Sequence, residues 1–239
     1  MSIPLHIMNT AITNKDIQIP LVFTTSFYAF EKILSTGKIL SKEQLRKLRI
    51  PFEQHTSSYV SLEHALGTFD DVTLFIDPLF RSDLYGGMFN LGPRIIFDRQ
   101  ILYQEGVFML PMYQGGYYDG LEDKPRESFP RFEQEKMRSS KVKDRFIDDM
   151  KIGEIMKADN PLSFKEVPCP EVHIPREVAL HWARAFLIHT NYVQKYQKRP
   201  ELEGKIIVPF HGRDNKNTGD MIPDSLSLLA AYKRGITQQ

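Results

Sequence analysis

A glutamate begins a short apolar segment late in the chain, in residues 168–175, which read PCPEVHIP. The apolar residues after Glu171 predict a short strand, and prolines restrict the backbone on both sides of it. A carboxylate fixed in this way can stabilise a developing positive charge or act as a general base. Because proline cannot donate to a strand ladder, we expect this strand to be short or at a sheet edge. Glu171 is the candidate catalytic residue, and the alternative is an exposed charge on an edge strand.

A second candidate group lies between residues 49 and 62. Tyr59 and Ser61 alternate with apolar residues in the segment SYVSL, residues 58–62, so a strand would place both side chains on one face. The Tyr59 ring offers a flat surface on which an aromatic ligand can stack. Arg49 precedes this strand and can bind a phosphate through two parallel hydrogen bonds. The alternative for Arg49 is a solvent-facing side chain at the end of a helix.

A third candidate group is a strand followed by a helix in residues 20–40. The segment LVFTT, residues 21–25, predicts a buried strand, and apolar residues from Phe27 to Leu34 recur at helical spacing. Gly37 follows where the helix would end in a left-handed residue. Thr24 and Thr25 lie at the junction, where a hydroxyl can donate a hydrogen bond to a ligand oxygen. The alternative is an ordinary strand–helix unit without a ligand.

The remaining elements are predicted from periodicity and from capping residues. Ser41 would cap a short helix, with Gln44 completing a capping box. Further strands are predicted at 72–76, 94–97, 106–110 and 206–210, and helices at 142–157 and 224–234. The length suits one large α/β or α+β domain. No linker separates two cores, so we expect one domain over residues 1–239, with residues 1–19 as an N-terminal arm.

Residues 114–145 form a predicted surface insertion rich in glycine, aromatic and charged residues. Its basic side chains are Arg126, Arg131, Lys136, Arg138, Lys141, Lys143 and Arg145. Basic residues interleaved with aromatic ones can bind a nucleic-acid strand by phosphate contact and base stacking. Acidic residues in the same segment weaken the positive field. A solvated loop is therefore the alternative to a nucleic-acid surface.

The composition limits the class of protein. The 239 residues carry a formal net charge of +1, so binding to nucleic acid or membrane would need a local basic patch. Cys169 is the only cysteine, which excludes an internal disulfide and a zinc site made of several thiolates. No stretch approaches the roughly 20 apolar residues of a membrane span. We expect a cytoplasmic protein without a metal site.

In this order the segments resemble the ADP-ribosyltransferases, and most closely the DarT-type toxins, which ADP-ribosylate DNA bases. The segment ILSTGKI, residues 33–39, is similar to the end of the family's first helix. Arg49 precedes the second strand as it does in DarT-type enzymes. The segment EVHIP, residues 171–175, resembles the Glu-Val-x-Ile/Val-Pro segment that carries the family's catalytic glutamate. The families place a histidine or arginine at the end of the first strand, where this chain has Thr24 and Thr25.

This resemblance implies an α+β fold of two small packed sheets with peripheral helices. It implies transfer of ADP-ribose from NAD to a macromolecular acceptor, nucleic acid or protein, with release of nicotinamide. It assigns catalysis to Glu171, whose carboxylate would stabilise the oxocarbenium-like state of the ribose. The NAD-binding residues that it implies are Thr24, Thr25, Arg49, Tyr59 and Ser61. An antitoxin or immunity protein is a possible partner, and no membrane is expected.

Two other functions remain open at this stage. The threonines on the first strand favour a catalytically inactive module of the same fold, which would bind a nucleotide or a partner protein. The acidic residues Asp70, Asp71 and Asp77 flank a predicted strand and suggest a metal-dependent nuclease. Release of nicotinamide from NAD would distinguish the first alternative from an active transferase, and sensitivity to a chelator would identify the second.

Overall fold

The computed structural model describes residues 21–52, 63–64, 66–75, 92–110, 137–138, 171–214, 221–223, 227, 230–231 and 234. The helices are α1 (Phe27–Thr36), α2 (Lys42–Lys47) and α3 (Thr190–Gln197), with 3-10 turns at Arg99–Tyr103, Leu180–Trp182 and Pro200–Leu202. The strands are β1 (Leu21–Thr24), β2 (Lys38–Leu40), β3 (Asp71–Phe75), β4 (Arg94–Phe97), β5 (Phe108–Leu110), β6 (Met137–Arg138), β7 (Glu171–Pro175), β8 (Glu177–Ala179), β9 (Ala183–His189), β10 (Ile206–Phe210), β11 (Gly212–Asp214) and β12 (Met221–Pro223).

The strands form one main sheet and two small ones. The main sheet has eight strands in the order β10-β9-β4-β1-β3-β7-β5-β6, and two-stranded sheets pair β11 with β12 and β2 with β8. All pairs are antiparallel except β10 with β9. This mixture of sheet and peripheral helices confirms the predicted α+β class. Most of the strands belong to the main sheet. Its strand β1 pairs with β3 on one side and with β4 on the other, and so joins the two halves of the sheet.

One face of the main sheet, which we call the helix face, packs against α1 and α3. Phe30 of α1 contacts Phe186 of β9, with ring centroids 5.9 Å apart, and Tyr196 of α3 at 5.1 Å. Every second strand residue contributes to this core, because alternate side chains of a strand lie on opposite faces. Its strand residues include Leu21, Leu74, Ile95, Phe97, Val172, Ile174, Phe186 and Ile188, all buried.

The opposite face, which we call the polar face, carries both an apolar cluster and polar side chains. Residues directly opposite each other on neighbouring strands share a face. Val22 is opposite both Phe75 and Ile96, and Phe75 is opposite Glu171. The apolar members are Val22, Ile96, Ala185, Leu187, Val208, Phe210 and Ala231. By the same alternation the polar face also carries Thr24, Arg94, Thr73, Glu171 and His173.

The helix ends follow the signals in the sequence. Ser26 caps α1 by accepting a hydrogen bond from the Ala29 amide at 3.2 Å, and Gly37 ends it with φ +68°. That left-handed conformation is the one the sequence predicts for Gly37. Ser41 caps α2 and accepts from the Gln44 amide at 3.2 Å, as predicted.

The α2 cap also binds the start of β3. Asp70 Oδ1 accepts from Ser41 Oγ at 2.7 Å and from Gln44 Nε2 at 3.0 Å. Burial opposes ionisation of Asp70, but these two hydrogen bonds together with the positive charges of Lys47 and Arg176 outweigh it and lower the pKa of the carboxyl. The Gln44 side chain therefore contacts Asp70 rather than the amide of Ser41, which the predicted capping box would require.

The strand β7 is short, as predicted, and lies inside the main sheet. Residues 171–175 form the short strand expected, but β7 pairs with β3 on one side and β5 on the other, so it is not an edge strand. Pro175 is compatible with this because it is the last residue of the strand, where its missing N–H removes at most one ladder bond. The alternative of an exposed edge carboxylate at Glu171 is therefore wrong.

Several predictions fall outside the described residues. These are the arm at 1–19, the strand with Tyr59 and Ser61, the helix at 142–157 and Asp77. Of the predicted insertion 114–145, the structure describes only β6, which pairs with β5. Of the predicted helix 224–234, residues 227, 230, 231 and 234 are helical. None of the helices within the described ranges combines the length and the apolar character needed to cross a bilayer.

A close backbone contact at Gly92 holds the ends of β1 and β4 together. The Thr25 amide donates to the Pro93 carbonyl at 3.2 Å. A Cβ atom at Gly92 would lie 1.8 Å from the Thr25 carbonyl oxygen, far inside van der Waals contact. Only glycine therefore fits where the two strands end beside Thr24 and Thr25.

We expect Gly92→Ala to lower the free energy of unfolding by at least about 2 kcal/mol, because backbone must move to admit the methyl group. Gly204→Ala is the control. A Cβ there meets nothing within 4 Å, but φ is +71°, so its cost should be only about 1 kcal/mol. Chemical denaturation of both variants measures the difference. Equal losses would contradict the close contact at Gly92.

Candidate active site

Glu171 is the first residue of β7, and its side chain lies on the polar face. It is 1% exposed, and Phe75 of β3 and Leu110 of β5 are its cross-strand partners. The strand ladders on both sides fix its Cα position. Glu171 Oε2 contacts His173 Nε2 at 3.2 Å, and Oε1 has no hydrogen-bond partner among the described residues. The site thus has one carboxylate oxygen that contacts the imidazole and one buried oxygen without a hydrogen-bond partner among the described residues.

His173 lies two residues after Glu171 and therefore on the same face of β7. Its ring is fully buried and stacks on Phe108 of β5, with centroids 4.7 Å apart and planes 3° from parallel. Nδ1 faces Asp71 Oδ2 at 3.7 Å, which is an electrostatic contact longer than a hydrogen bond. An ionised carboxylate only accepts hydrogen bonds, so a favourable contact with Glu171 requires a proton on Nε2. The imidazole lies between two carboxylates.

A third carboxylate, Glu63, lies close enough to Glu171 and His173 to interact with them electrostatically. It is buried and forms an ion pair with Lys42 at the start of α2, with Nζ 2.5 Å from Oε1. Burial raises the pKa of Glu63, Lys42 partly counters this effect, and the charge of Glu171 raises the pKa further. We call Lys42, Glu63, Asp71, Glu171 and His173 the charged cluster.

The two predicted binding residues on β1 lie at the end of the strand. Thr24 is opposite Arg94 of β4, and its Oγ1 is buried with no hydrogen-bond partner among the described residues. Thr24 is two strands from His173, which corresponds to roughly 10 Å across the sheet. Thr25 is also buried, with its carbonyl against Gly92. Thr24 and Glu171 therefore belong to one face, two strands apart.

Arg94 is a buried cation that the sequence does not single out. It is 1% exposed, its Nη1 donates to the Gly92 carbonyl, and its guanidinium lies 4.9 Å from the centre of the Phe210 ring. A guanidinium over an aromatic face is a stabilising contact. Arg94 therefore connects β4 to β10 beside the end of β1. Because Arg94 is buried, we interpret it as a residue that packs these strands together.

Arg49 occupies the turn after α2 and is exposed. Its backbone has φ +56°, an uncommon conformation for a residue other than glycine, and its amide donates to the Arg46 carbonyl at 3.1 Å. The structure therefore places Arg49 at a helix end in solvent. Its predicted role toward a phosphate remains a prediction, as do the roles of Tyr59 and Ser61, which lie outside the described residues.

The described part of the chain gives no support to a metal-dependent nuclease. No group of three histidine, cysteine, aspartate or glutamate side chains in the described ranges is arranged to hold a metal ion. Asp70, one of the three suggested ligands, instead accepts hydrogen bonds from the α2 cap. Asp71 faces His173, and Asp77 is outside the described residues.

The sequence contains one signal for the cluster that the prediction did not use. His173 follows Glu171 by two residues, and this spacing on a strand places both side chains on one face. No local signal identifies Lys42 or Glu63, because they reach the cluster through the packing of α2 and of the helical turn at 63–66. These two residues can be identified as members of the charged cluster only from the folded structure.

No family model and no curated protein matches the chain. In structure it is similar to Thermosipho africanus DarTG in complex with ADP-ribose, at a TM-score of 0.52 and 13% identity. The match covers 80% of this chain and 50% of that one, so the chain spans about half the length of DarTG. This likeness establishes the fold and confirms, at that level, the resemblance predicted from the sequence.

Structures of DarT from Thermus sp. 2.9 are also similar. One was solved with ADP-ribosylated single-stranded DNA, and it matches with a TM-score of 0.48 and 12% identity over 81% of this chain and 95% of that chain. Another was solved with NAD+, and it matches with a TM-score of 0.47 and 11% identity over 82% of this chain and 97% of that chain.

The raised pKa of Glu63 predicts how stability depends on pH when Lys42 is removed. The pKa of Glu63 is higher in the folded protein than in the unfolded chain, where it is near 4.5. Such a carboxyl contributes to the stability of the fold when the pH is below its pKa in the unfolded chain. That contribution is lost as the pH rises through the pKa that Glu63 has in the folded protein. Without the positive charge of Lys42, this pKa is higher still. We therefore expect Lys42→Met to cost about 1–3 kcal/mol near neutral pH and less near about pH 5.

Lys38→Met is the matched control, because the ion pair of Lys38 with Glu177 is about half exposed. It should change the free energy of unfolding by less than about 0.5 kcal/mol, with no comparable pH trend. Denaturation of both variants at the two pH values provides the comparison. A Lys42→Met loss that is independent of pH would mean that Lys42 does not hold Glu63 ionised.

Proposed function

We propose that this chain transfers ADP-ribose from NAD to a macromolecular acceptor and releases nicotinamide. The observation that carries the proposal is the state of Glu171. Its carboxylate is buried at the start of an interior strand, with Oε2 against His173 and Oε1 without a partner among the described residues. A buried acceptor oxygen without a donor is costly unless a ligand supplies one. A ribose hydroxyl is a donor of the required kind.

The charge around Glu171 suits this substrate. In the charged cluster one ammonium, that of Lys42, stands against three carboxylates, those of Glu63, Asp71 and Glu171. The nicotinamide ring of NAD+ is positively charged, and the charge moves to the ribose as the ring departs. A buried negative cluster favours both states over neutral ligands.

The chemistry requires one bond to break and one to form. The bond between the ribose carbon and the nicotinamide nitrogen breaks, and its electron pair leaves with nicotinamide. Positive charge develops on the ribose, where the carboxylate of Glu171 stabilises it through a ribose hydroxyl. An oxygen or nitrogen of the acceptor then bonds to the ribose carbon and loses its proton to Glu171 or to water.

Thr24 is the described residue best suited to hold another part of NAD. Its buried Oγ1 lacks a hydrogen-bond partner within the described residues and lies on the polar face with Glu171. A hydroxyl can both donate to and accept from a sugar or an amide. Thr25 contributes through the backbone contact that fixes this strand end. We assign Arg49, Tyr59 and Ser61 to the same substrate, for phosphate contact and ring stacking.

The fold supports the choice of substrate, because the structure of DarTG to which it is similar contains ADP-ribose. We propose nucleic acid or protein as the acceptor, with the basic segment at 114–145 as its contact surface, and an antitoxin or immunity protein as a possible partner. The catalytically inactive binding module is the competing function. It is favoured by the threonines at the end of β1, where related enzymes carry a charged residue.

We expect Glu171→Gln to lower nicotinamide release from NAD by at least about 100-fold while NAD still binds, because the amide keeps the shape but loses the charge that stabilises the ribose cation. An alanine at this position is a poorer test, since Glu171 is buried and its removal would leave a cavity. Transfer of label from NAD to a mixture of nucleic acid and protein, with release of nicotinamide, measures activity, and calorimetry measures binding.

Glu177→Gln is the control, since Glu177 is an exposed carboxylate on β8 outside the charged cluster. It should match the wild type in both measurements. NAD binding without nicotinamide release by the wild type would establish the binding module instead. Activity that survives in Glu171→Gln would refute the catalytic assignment, and loss of activity with a chelator would favour a metal-dependent reaction.

A further inference from the structure

His173 is a polar residue that is fully buried within the sheet. Its neighbours along β7, Val172 and Ile174, are buried on the helix face, and Phe108 of β5 covers its ring. Burying an imidazole costs free energy unless its nitrogens meet polar partners. The hydrogen-bond partner described for this ring is Glu171, 3.2 Å from Nε2, whereas Nδ1 has no hydrogen-bond partner among the described residues and Asp71 lies 3.7 Å from it. Its polar contacts therefore point to a role toward Glu171.

The surroundings prevent the imidazole from turning away. On one side Thr73 of β3 is directly opposite His173, and on the other side Phe108 of β5 is directly opposite it. The Phe108 ring is parallel to the imidazole within 3°. Asp71, on the same face of β3 as Thr73, lies 3.7 Å from Nδ1 on the other side of the ring. These contacts fix the direction in which Nε2 points.

Fixing Nε2 in turn fixes the carboxylate of Glu171. A glutamate has three rotatable side-chain bonds, so ladder pairing of its backbone alone does not determine where its oxygens lie. The hydrogen bond from His173 holds Oε2. Oε1, which has no hydrogen-bond partner within the described part of the chain, then points to one defined place.

We propose that His173 is a positioning residue, whose Nε2 holds one oxygen of Glu171 so that the other meets the ribose of NAD. This inference rests on the proposed function. Such a residue acts on the rate of bond cleavage rather than on substrate affinity, because the carboxylate matters most when positive charge develops on the ribose. The charged groups that face His173 are Asp71 on β3, Glu171 on β7 and, from the helical turn at 63–66, Glu63 with its partner Lys42.

The test compares His173→Gln with His173→Met. Both side chains are unbranched and similar in length, but only glutamine keeps an N–H donor that can reach Glu171. We expect His173→Met to lower kcat for nicotinamide release about 10- to 100-fold, with KM for NAD changed less than about threefold. His173→Gln should keep kcat within about fivefold of the wild type. Thermal denaturation of both variants provides the measure of folding.

Two results would overturn the proposal. One is a His173→Met variant with wild-type kcat. The other is a His173→Gln variant that is folded yet as slow as His173→Met, since retention of the donor would then have no effect. If His173→Met does not fold, the His173→Gln variant alone decides the question. A folded His173→Gln protein whose kcat is lower than that of the wild type by more than about 100-fold would then contradict the positioning role.

Crystal structures of the same two variants separate this inference from the proposed function. In His173→Gln the Glu171 carboxylate should keep the wild-type rotamer, and in His173→Met it should rotate or occupy several positions. An unchanged rotamer in His173→Met refutes positioning, whether or not the protein acts on NAD. Wild-type protein that releases no nicotinamide refutes the proposed function, and the rotamer comparison still tests the contact between the two side chains.

Discussion

A carboxylate buried within a sheet requires a hydrogen-bond donor, and in this chain the contact between His173 Nε2 and Glu171 Oε2 supplies one. The two residues are separated by one position on β7, so the strand itself brings their side chains to the same face. Pairing of β7 with β3 and β5 then surrounds them. The rest of the candidate site is arranged around this contact.

Two further charged residues, Glu63 and Lys42, lie near the buried Glu171. Glu63 increases the negative charge near Glu171, and Lys42 limits the cost of burying Glu63. The helix α2, which carries Lys42, is capped by Ser41 and bound through Asp70 to the start of β3. The capped end of α2 thus carries Lys42, which forms the ion pair with Glu63. Among the described residues, carboxylates outnumber ammonium groups around Glu171, and such an arrangement is compatible with the proposed stabilisation of a ribose cation.

Local features of the fold follow from the sequence, because they depend on neighbouring residues. The strand β1, the helix α1 with its left-handed Gly37, and the Ser41 cap are formed by residues within a few positions of one another. The resemblance identifies Glu171, since its segment is contiguous. The alternation along β7 is sufficient to place His173 beside it.

Features that depend on distant pairing do not follow from the sequence. Prolines around β7 suggested an edge, yet the strand has neighbours on both sides, because a proline at the last position removes only one donor. No element was predicted for β8, β9 and α3, where β9 joins β4 to β10 by residues far apart in the chain. Glu63 and Lys42 reach the charged cluster by packing alone.

The most direct test of the catalytic role of Glu171 is a crystal structure of the protein with an uncleavable NAD analogue. The structure predicts that Glu171 Oε1 accepts a hydrogen bond from a ribose hydroxyl next to nicotinamide, within about 3.2 Å, while Oε2 stays against His173. A ribose bound elsewhere, with Glu171 Oε1 still without a partner, would contradict the assignment of Glu171 as the catalytic carboxylate.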